Sequence, residues 1–122
     1  MIQTHSRLKV ADNSGAREIM CLSIPGFSKK KYARIGDTIS AVVKLSSPEG
    51  SVKKAQIVRA LIVRTKKEYR RKDGSYVRFD DNAAVIVDKK GNPLGTRIFG
   101  PVAREIKDLG YDKIASMAPE IV

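Results

Sequence analysis

The stretch Thr38-Ile39-Ser40-Ala41-Val42-Val43-Lys44-Leu45 decides how the whole chain is read. Ile39, Ala41, Val43 and Leu45 alternate with Thr38, Ser40, Val42 and Lys44, a period of two that turns one face inward and the other mostly toward water. The segment is a half-buried strand, with Leu45 expected on the inner face.

Downstream, residues 57–63 are almost continuously apolar apart from Arg59, and residues 85–87 form another short β-branched run. Both read as strands lying centrally in a sheet. Upstream, Leu8 and Val10 alternate with Arg7 and Lys9, the cluster Asp12-Asn13-Ser14-Gly15 supplies turn chemistry, and residues 17–24 return from it as a second strand. Gly26, Gly36, Pro48, Gly50, Gly91, Pro93 and Gly95 punctuate the gaps. Many short strands separated by turns predict a small closed barrel, which leaves no exposed sheet edge.

The C-terminal end breaks the pattern. Ala103, Ile106 and Leu109 recur at helical spacing, Gly110 supplies a stop, and Asp112 is placed to cap a second short helix ending before Pro119. The expected architecture is therefore mainly β, a small barrel carrying two short C-terminal helices. A chain of 122 residues with 42% hydrophobic content buries one modest core, so one domain is expected, with the barrel over about residues 1–100 and the helical region over about 101–122.

Charge narrows the partner. Twenty-four Lys and Arg against 13 Asp and Glu give a formal net charge of +11. A compact body of that charge repels itself unless an anion neutralises it, and nucleic acid, whose counterions basic side chains release, fits best. No stretch approaches the roughly 20 apolar residues of a membrane span, and no long basic amphipathic helix is evident, so no membrane partner is expected. Cys21 is the single cysteine and lies between Met20 and Leu22, as a small buried hydrophobe does. With no apolar export segment over residues 1–10, a reducing, cytoplasm-like compartment is expected.

The cations cluster. Residues 64–78 hold seven (Arg64, Lys66, Lys67, Arg70, Arg71, Lys72, Arg78) against Glu68 and Asp73, a local net charge of +5. Asp73-Gly74 is the dipeptide favoured in two-residue hairpin loops. In that register Arg71 faces Tyr76 and Tyr69 faces Arg78 on one side of the ribbon, while Arg70, Lys72 and Val77 point to the other. Tyr rings would then hold guanidiniums whose outer donors stay free for phosphate, on a protruding basic β-ribbon. A second cluster, Lys29, Lys30, Lys31, Tyr32 and Arg34, combines four charges with one aromatic, a set suited to phosphate contact and stacking. Lysine runs of this kind also serve solubility alone, and a charged hairpin can be merely solvated.

Catalytic constellations are not expected. His5 is the one histidine, which excludes multi-histidine metal sites and leaves any nucleophile a single imidazole base. Asp80 and Asp81 on an extended chain point to opposite faces, which suits turn capping better than chelation. Gly91, Gly95 and Gly100 match no phosphate loop or dinucleotide fingerprint. No cofactor and no small-molecule substrate is expected. A binding protein follows, and on residues alone a free-standing small-barrel nucleic-acid-binding protein, of RNA-chaperone or nucleoid type, is the alternative to an architectural one.

The pattern Ala60-Leu61-Ile62-Val63, nine residues, Asp73-Gly74, four residues, Phe79, two residues, Asn82, two residues, Val85-Ile86 resembles the signature of the family of large-subunit ribosomal protein fourteen, bacterial or plastid type. So do Val10-Ala11-Asp12-Asn13-Ser14-Gly15-Ala16-Arg17, Gly95-Thr96-Arg97-Ile98-Phe99-Gly100-Pro101-Val102 and Ala118-Pro119-Glu120, so the likeness runs essentially the full length. It implies a five-stranded barrel with a protruding ribbon and short C-terminal helices. It further implies a structural role bound to large-subunit rRNA, with bridges to small-subunit rRNA and with large-subunit proteins three and nineteen as neighbours, in the cytoplasm or the plastid stroma. A ribosomal silencing factor is implied at Thr96, Arg97 and Lys113, and Phe99 is a further contact expected of that block. One departure is Gly26-Phe27-Ser28 followed by Lys30-Lys31, where bacterial relatives commonly carry Gly-Gly-Ser and paired arginines; lysine lacks the planar fork that grips phosphate with two bonds.

Overall fold

The computed structural model describes residues 2–24, 32–48, 50 and 52–122. Five strands close into a barrel in the order β1 (Arg7–Val10), β2 (Ala16–Ser23), β3 (Thr38–Ser46), β4 (Ile57–Arg64) and β7 (Ala83–Val87). Between β4 and β7 the chain makes a separate two-stranded ribbon from β5 (Tyr69–Arg70) and β6 (Tyr76–Val77). Two short helices follow, α1 (Arg104–Asp108) and α2 (Asp112–Met117).

Neighbouring barrel strands run antiparallel except at the closure, where β1 pairs with β7 in parallel, Lys9 opposite Ala83 and Val10 opposite Ala84. A parallel pair needs a long connection, and everything from β2 to β6 supplies it. The sequence period gave the strands but carried no sign of this closure.

Strand alternation builds the barrel interior. Leu8, Ile19, Ile39, Ala41, Val43, Ala60, Ile62, Ala84 and Ile86 meet there, and Cys21 joins them with no exposure. The outer faces of β4 and β7 are buried too. Leu61, Val63, Ala83, Val85 and Val87 pack beneath Ile98, Val102, Ile106 and Ile114, so α1 and α2 cover a second core laid on the outside of the barrel. This is why residues 83–87 are buried without a break: they carry side chains into two cores at once.

Several expectations are corrected. Leu45 is exposed, because register shifts in the β2·β3 pairing at Ala16, Glu18 and Ile19 disturb the alternation at that end of β3. Ile57, at the start of β4, is 68% exposed, so the apolar run reaches the core only from Val58 onward. Leu109 follows α1 on the solvent side and lies against Gly36 rather than in the core. Asp112 is the first residue of α2, and Tyr111 stands in the cap position without a side-chain hydrogen bond. Among the described residues no helix is long and apolar enough to cross a membrane.

Candidate nucleic-acid interface

The ribbon turns one residue differently from the two-residue loop expected of Asp73-Gly74. Tyr69 pairs with Val77 and Arg70 with Tyr76. The Arg71 N–H donates to the Ser75 carbonyl at 2.8 Å, and the Gly74 N–H donates to the Arg71 carbonyl at 3.0 Å. Residues 72–74 thus form a three-residue loop with Gly74 at φ +89°, a turn whose last residue must be left-handed. The shift changes every facing pair: Arg71 stands opposite Ser75, Tyr69 opposite Val77, and Arg70 opposite Tyr76. The Arg71–Tyr76 and Tyr69–Arg78 pairs do not form.

This register sorts the ribbon into two sides. Val77 is buried in the outer core, with Tyr69 packed partly against it, so the ribbon root is seated on the body and the turn at 72–75 is exposed. Arg70 and Tyr76 face water. Arg71 is drawn inward, its Nε 2.6 Å from Glu105 Oε1, with Nη2 donating to the main-chain oxygen of Val122 at 2.5 Å. Asp73 caps the turn, accepting from the Ser75 hydroxyl at 2.6 Å and the Ser75 N–H at 2.9 Å, and these bonds hold its carboxyl below the ordinary value.

The cations differ in their surroundings. Lys66, Arg70 and Lys72 are exposed and have no ion-pair partner among the described residues. Lys67 pairs with Glu68 at 3.1 Å; the Glu68 carboxyl is held down by its own N–H and by Lys67, with exposed Arg78 contributing at longer range. Arg64 is only 8% exposed. Its Nε lies 3.2 Å from Asp81 Oδ1, though out of line for a hydrogen bond, and Nη1 donates to the Phe99 and Pro101 carbonyls at 3.1 and 3.4 Å. Asp81, read as a turn cap, is therefore the counter-ion of a buried arginine.

The second cluster is partly described. Lys29, Lys30, Lys31 and Phe27 lie outside the described residues. Tyr32 and Arg34 are exposed on either side of Ala33, which bridges Ile2. Arg34, Lys67, Glu68, Tyr69 and Arg70, with buried Ile35 and Thr65 behind them, line a cleft of about 240 Å³ at the ribbon root. The fold thus brings Arg34, from the second cluster, beside the root of the ribbon.

On another side, Asn13 fastens the loop of Thr96 and Arg97. Its Oδ1 accepts the Thr96 and Arg97 N–H groups at 2.8 and 3.1 Å, and its Nδ2 donates to Thr96 Oγ1 at 2.9 Å. The Phe99 N–H donates to the Ala11 carbonyl at 2.6 Å, and the residue is 52% exposed. Asp12 beside it is buried; its carboxylate accepts from both Ser14 donors and from the Ile86 N–H at 2.9 Å. Burial pushes the Asp12 carboxyl up, and those bonds oppose the shift. The Asp12-Asn13-Ser14-Gly15 segment, read only as a turn, is a clamp between distant parts of the chain. Lys113 is exposed on α2, and among the described residues no hydrogen bond or ion pair links it to Thr96, Arg97 or Phe99.

Sequence reasoning missed Arg64 as an anchor, and Glu105 and Asn13 as partners. Only the positions of Arg64 and Asn13 in polar runs hinted at them; their partners lie 35 and 83 residues away along the chain.

The family model described as ribosomal protein L14p/L23e matches residues 1–122. With a closed five-stranded barrel, a basic ribbon and two C-terminal helices in place, and the match spanning the whole sequence, the chain belongs to that family of structural large-subunit ribosomal proteins.

Proposed function

We propose that the chain binds large-subunit rRNA through the ribbon and its root cleft, and contributes to bridges with small-subunit rRNA from the surface of Thr96, Arg97, Phe99 and Lys113. The observation that carries this reading is the set of exposed cations Lys66, Arg70 and Lys72, without ion-pair partners among the described residues, near the cleft that Arg34 and Lys67 line. Cations left without carboxylate partners on a rigid support lose little on meeting phosphate, and they release the counterions of the RNA when they do. Lys29, Lys30, Lys31 and Arg78 are further RNA contacts in this proposal. The loop clamped by Asn13 presents Thr96 and Arg97 on a fixed main chain, as a docking surface for a neighbouring protein or a silencing factor requires.

Charge reversal at Lys66, Arg70 or Lys72 should weaken binding of the purified chain to large-subunit rRNA. Each reversal should also flatten the log–log salt slope by roughly one unit. The melting temperature should change little, because all three side chains are exposed. Unchanged affinity with a lowered melting temperature would make the ribbon cations structural. Sedimentation supplies the cellular arm: the chain should stay with large subunits through a moderate salt wash, whereas a free-standing nucleic-acid-binding protein would trail in the soluble fractions.

A further inference from the structure

We infer that Arg71 is a positioning residue that clasps the ribbon to α1, and that Glu105, an acidic side chain, is required for RNA binding although it can touch no phosphate favourably. The inference rests on the RNA-binding reading of the ribbon and deepens it.

The ribbon needs such a clasp. It contains two facing pairs in its strands, Tyr69–Val77 and Arg70–Tyr76, and a two-stranded hairpin of that size is not stable alone in water. Its root is tied by the Phe79 N–H to the Thr65 carbonyl at 3.0 Å and by the Lys66 N–H to Asn82 Oδ1 at 2.8 Å. Beyond the root, Val77 is its one buried side chain. Arg71, at the last position before the turn, is the furthest point out at which the ribbon is bonded to the body.

The geometry at Arg71 is that of an anchor. Nε and Nη2 reach the two Glu105 oxygens at 2.6 and 3.5 Å, and Nη2 also reaches the Val122 main-chain oxygen. The side chains of Arg71 and Glu105 are 19% and 15% exposed, so the pair is shielded from the screening that makes surface ion pairs weak. A guanidinium whose donors face the Glu105 carboxylate and the Val122 main-chain oxygen is poorly placed for a phosphate, and the carboxylate repels one. Neighbouring Arg70, on the opposite side of the ribbon, is free to meet RNA. Holding the ribbon still before RNA arrives removes part of the ordering cost from binding.

Glu105→Ala gives the decisive test because two accounts predict opposite signs. If charge alone governs affinity, deleting a carboxylate from a protein of net charge +11 tightens rRNA binding. The clasp predicts that binding weakens, by roughly tenfold, with the salt slope unchanged. Arg71→Ala should weaken binding to a similar degree, also at unchanged slope, and the double variant should be no worse than either single one. Tighter or unchanged binding in Glu105→Ala overturns the inference, as does a slope flattened by about one unit in Arg71→Ala, which would make Arg71 a phosphate contact. Amide exchange provides an arm independent of RNA. Both variants should speed exchange at Arg71 and Gly74 while leaving β4 and β7 protected, and unchanged ribbon protection would also overturn the clasp. Failure of the unaltered chain to bind rRNA at low salt would instead refute the RNA-binding proposal.

Discussion

Arg64 and Arg70 sit six positions apart in one basic run, and their environments separate them completely. Arg64 is enclosed, with Asp81 beside it and two carbonyls from the 99–101 segment on its guanidinium; Arg70 stands in water. Gly100 records how close the first packing is, since a Cβ there would run into the Arg64 guanidinium, and its φ of +82° disfavours any other residue. Replacing Arg64 with Ala should destabilise the protein by about 2–4 kcal/mol, because it strands Asp81 and unmakes two charge-assisted bonds at a buried site. Arg64→Lys should recover only part of the loss, having no second donor arm for the Phe99 and Pro101 carbonyls. Denaturant unfolding measures both. A loss below about 0.5 kcal/mol in Arg64→Ala would mean that the guanidinium is dispensable to the fold.

At the scale of elements, two turns carry carboxyls held below their ordinary value. Asp73 is held below 3.8 chiefly by the Ser75 hydroxyl, and Asp88 below 3.8 chiefly by the Asn92 N–H, with the Lys90 N–H assisting. A depressed carboxyl contributes stability that is complete above its unfolded value and disappears as pH falls through its folded one. The ribbon turn and the 88–92 turn should therefore hold firm down to about pH 4 and loosen below it. Backbone amide shifts of Ser75 and Asn92 followed from pH 6 to pH 2 should titrate with midpoints under 3.8. Midpoints above that value would show that these side chains do not cap their turns.

For the whole molecule, β4 and β7 couple two cores, since Ala60, Ile62, Ala84 and Ile86 face the barrel interior while Leu61, Val63, Val85 and Val87 face the helices. Damage to the outer core should consequently be felt by the barrel, and we propose that residues 1–122 unfold as one cooperative unit. Ile106, fully buried beneath α1, is the probe: Ile106→Ala should cost about 2–5 kcal/mol, and circular dichroism and tyrosine fluorescence should still report coincident transitions. Separate transitions for helices and barrel would divide the chain into two units. Electrostatics acts at the same scale, because the net charge of +11 is spread over a body whose cores fix where each cation stands.

Strand identity, the existence of the ribbon, its charge and the helical end were all legible from residue order, because period, turn chemistry and composition are local properties. The signature spacing likewise pointed to the family that the whole-length match bears out. What the sequence could not determine was pairing across distance: the parallel closure of β1 on β7, the register of the ribbon, the burial of Arg64, and the meeting of Asn13 with Thr96 and of Arg71 with Glu105. Those depend on which side chains the folded chain brings within a few ångströms, and a cation in a linear string carries no mark of whether a carboxylate or water will stand beside it.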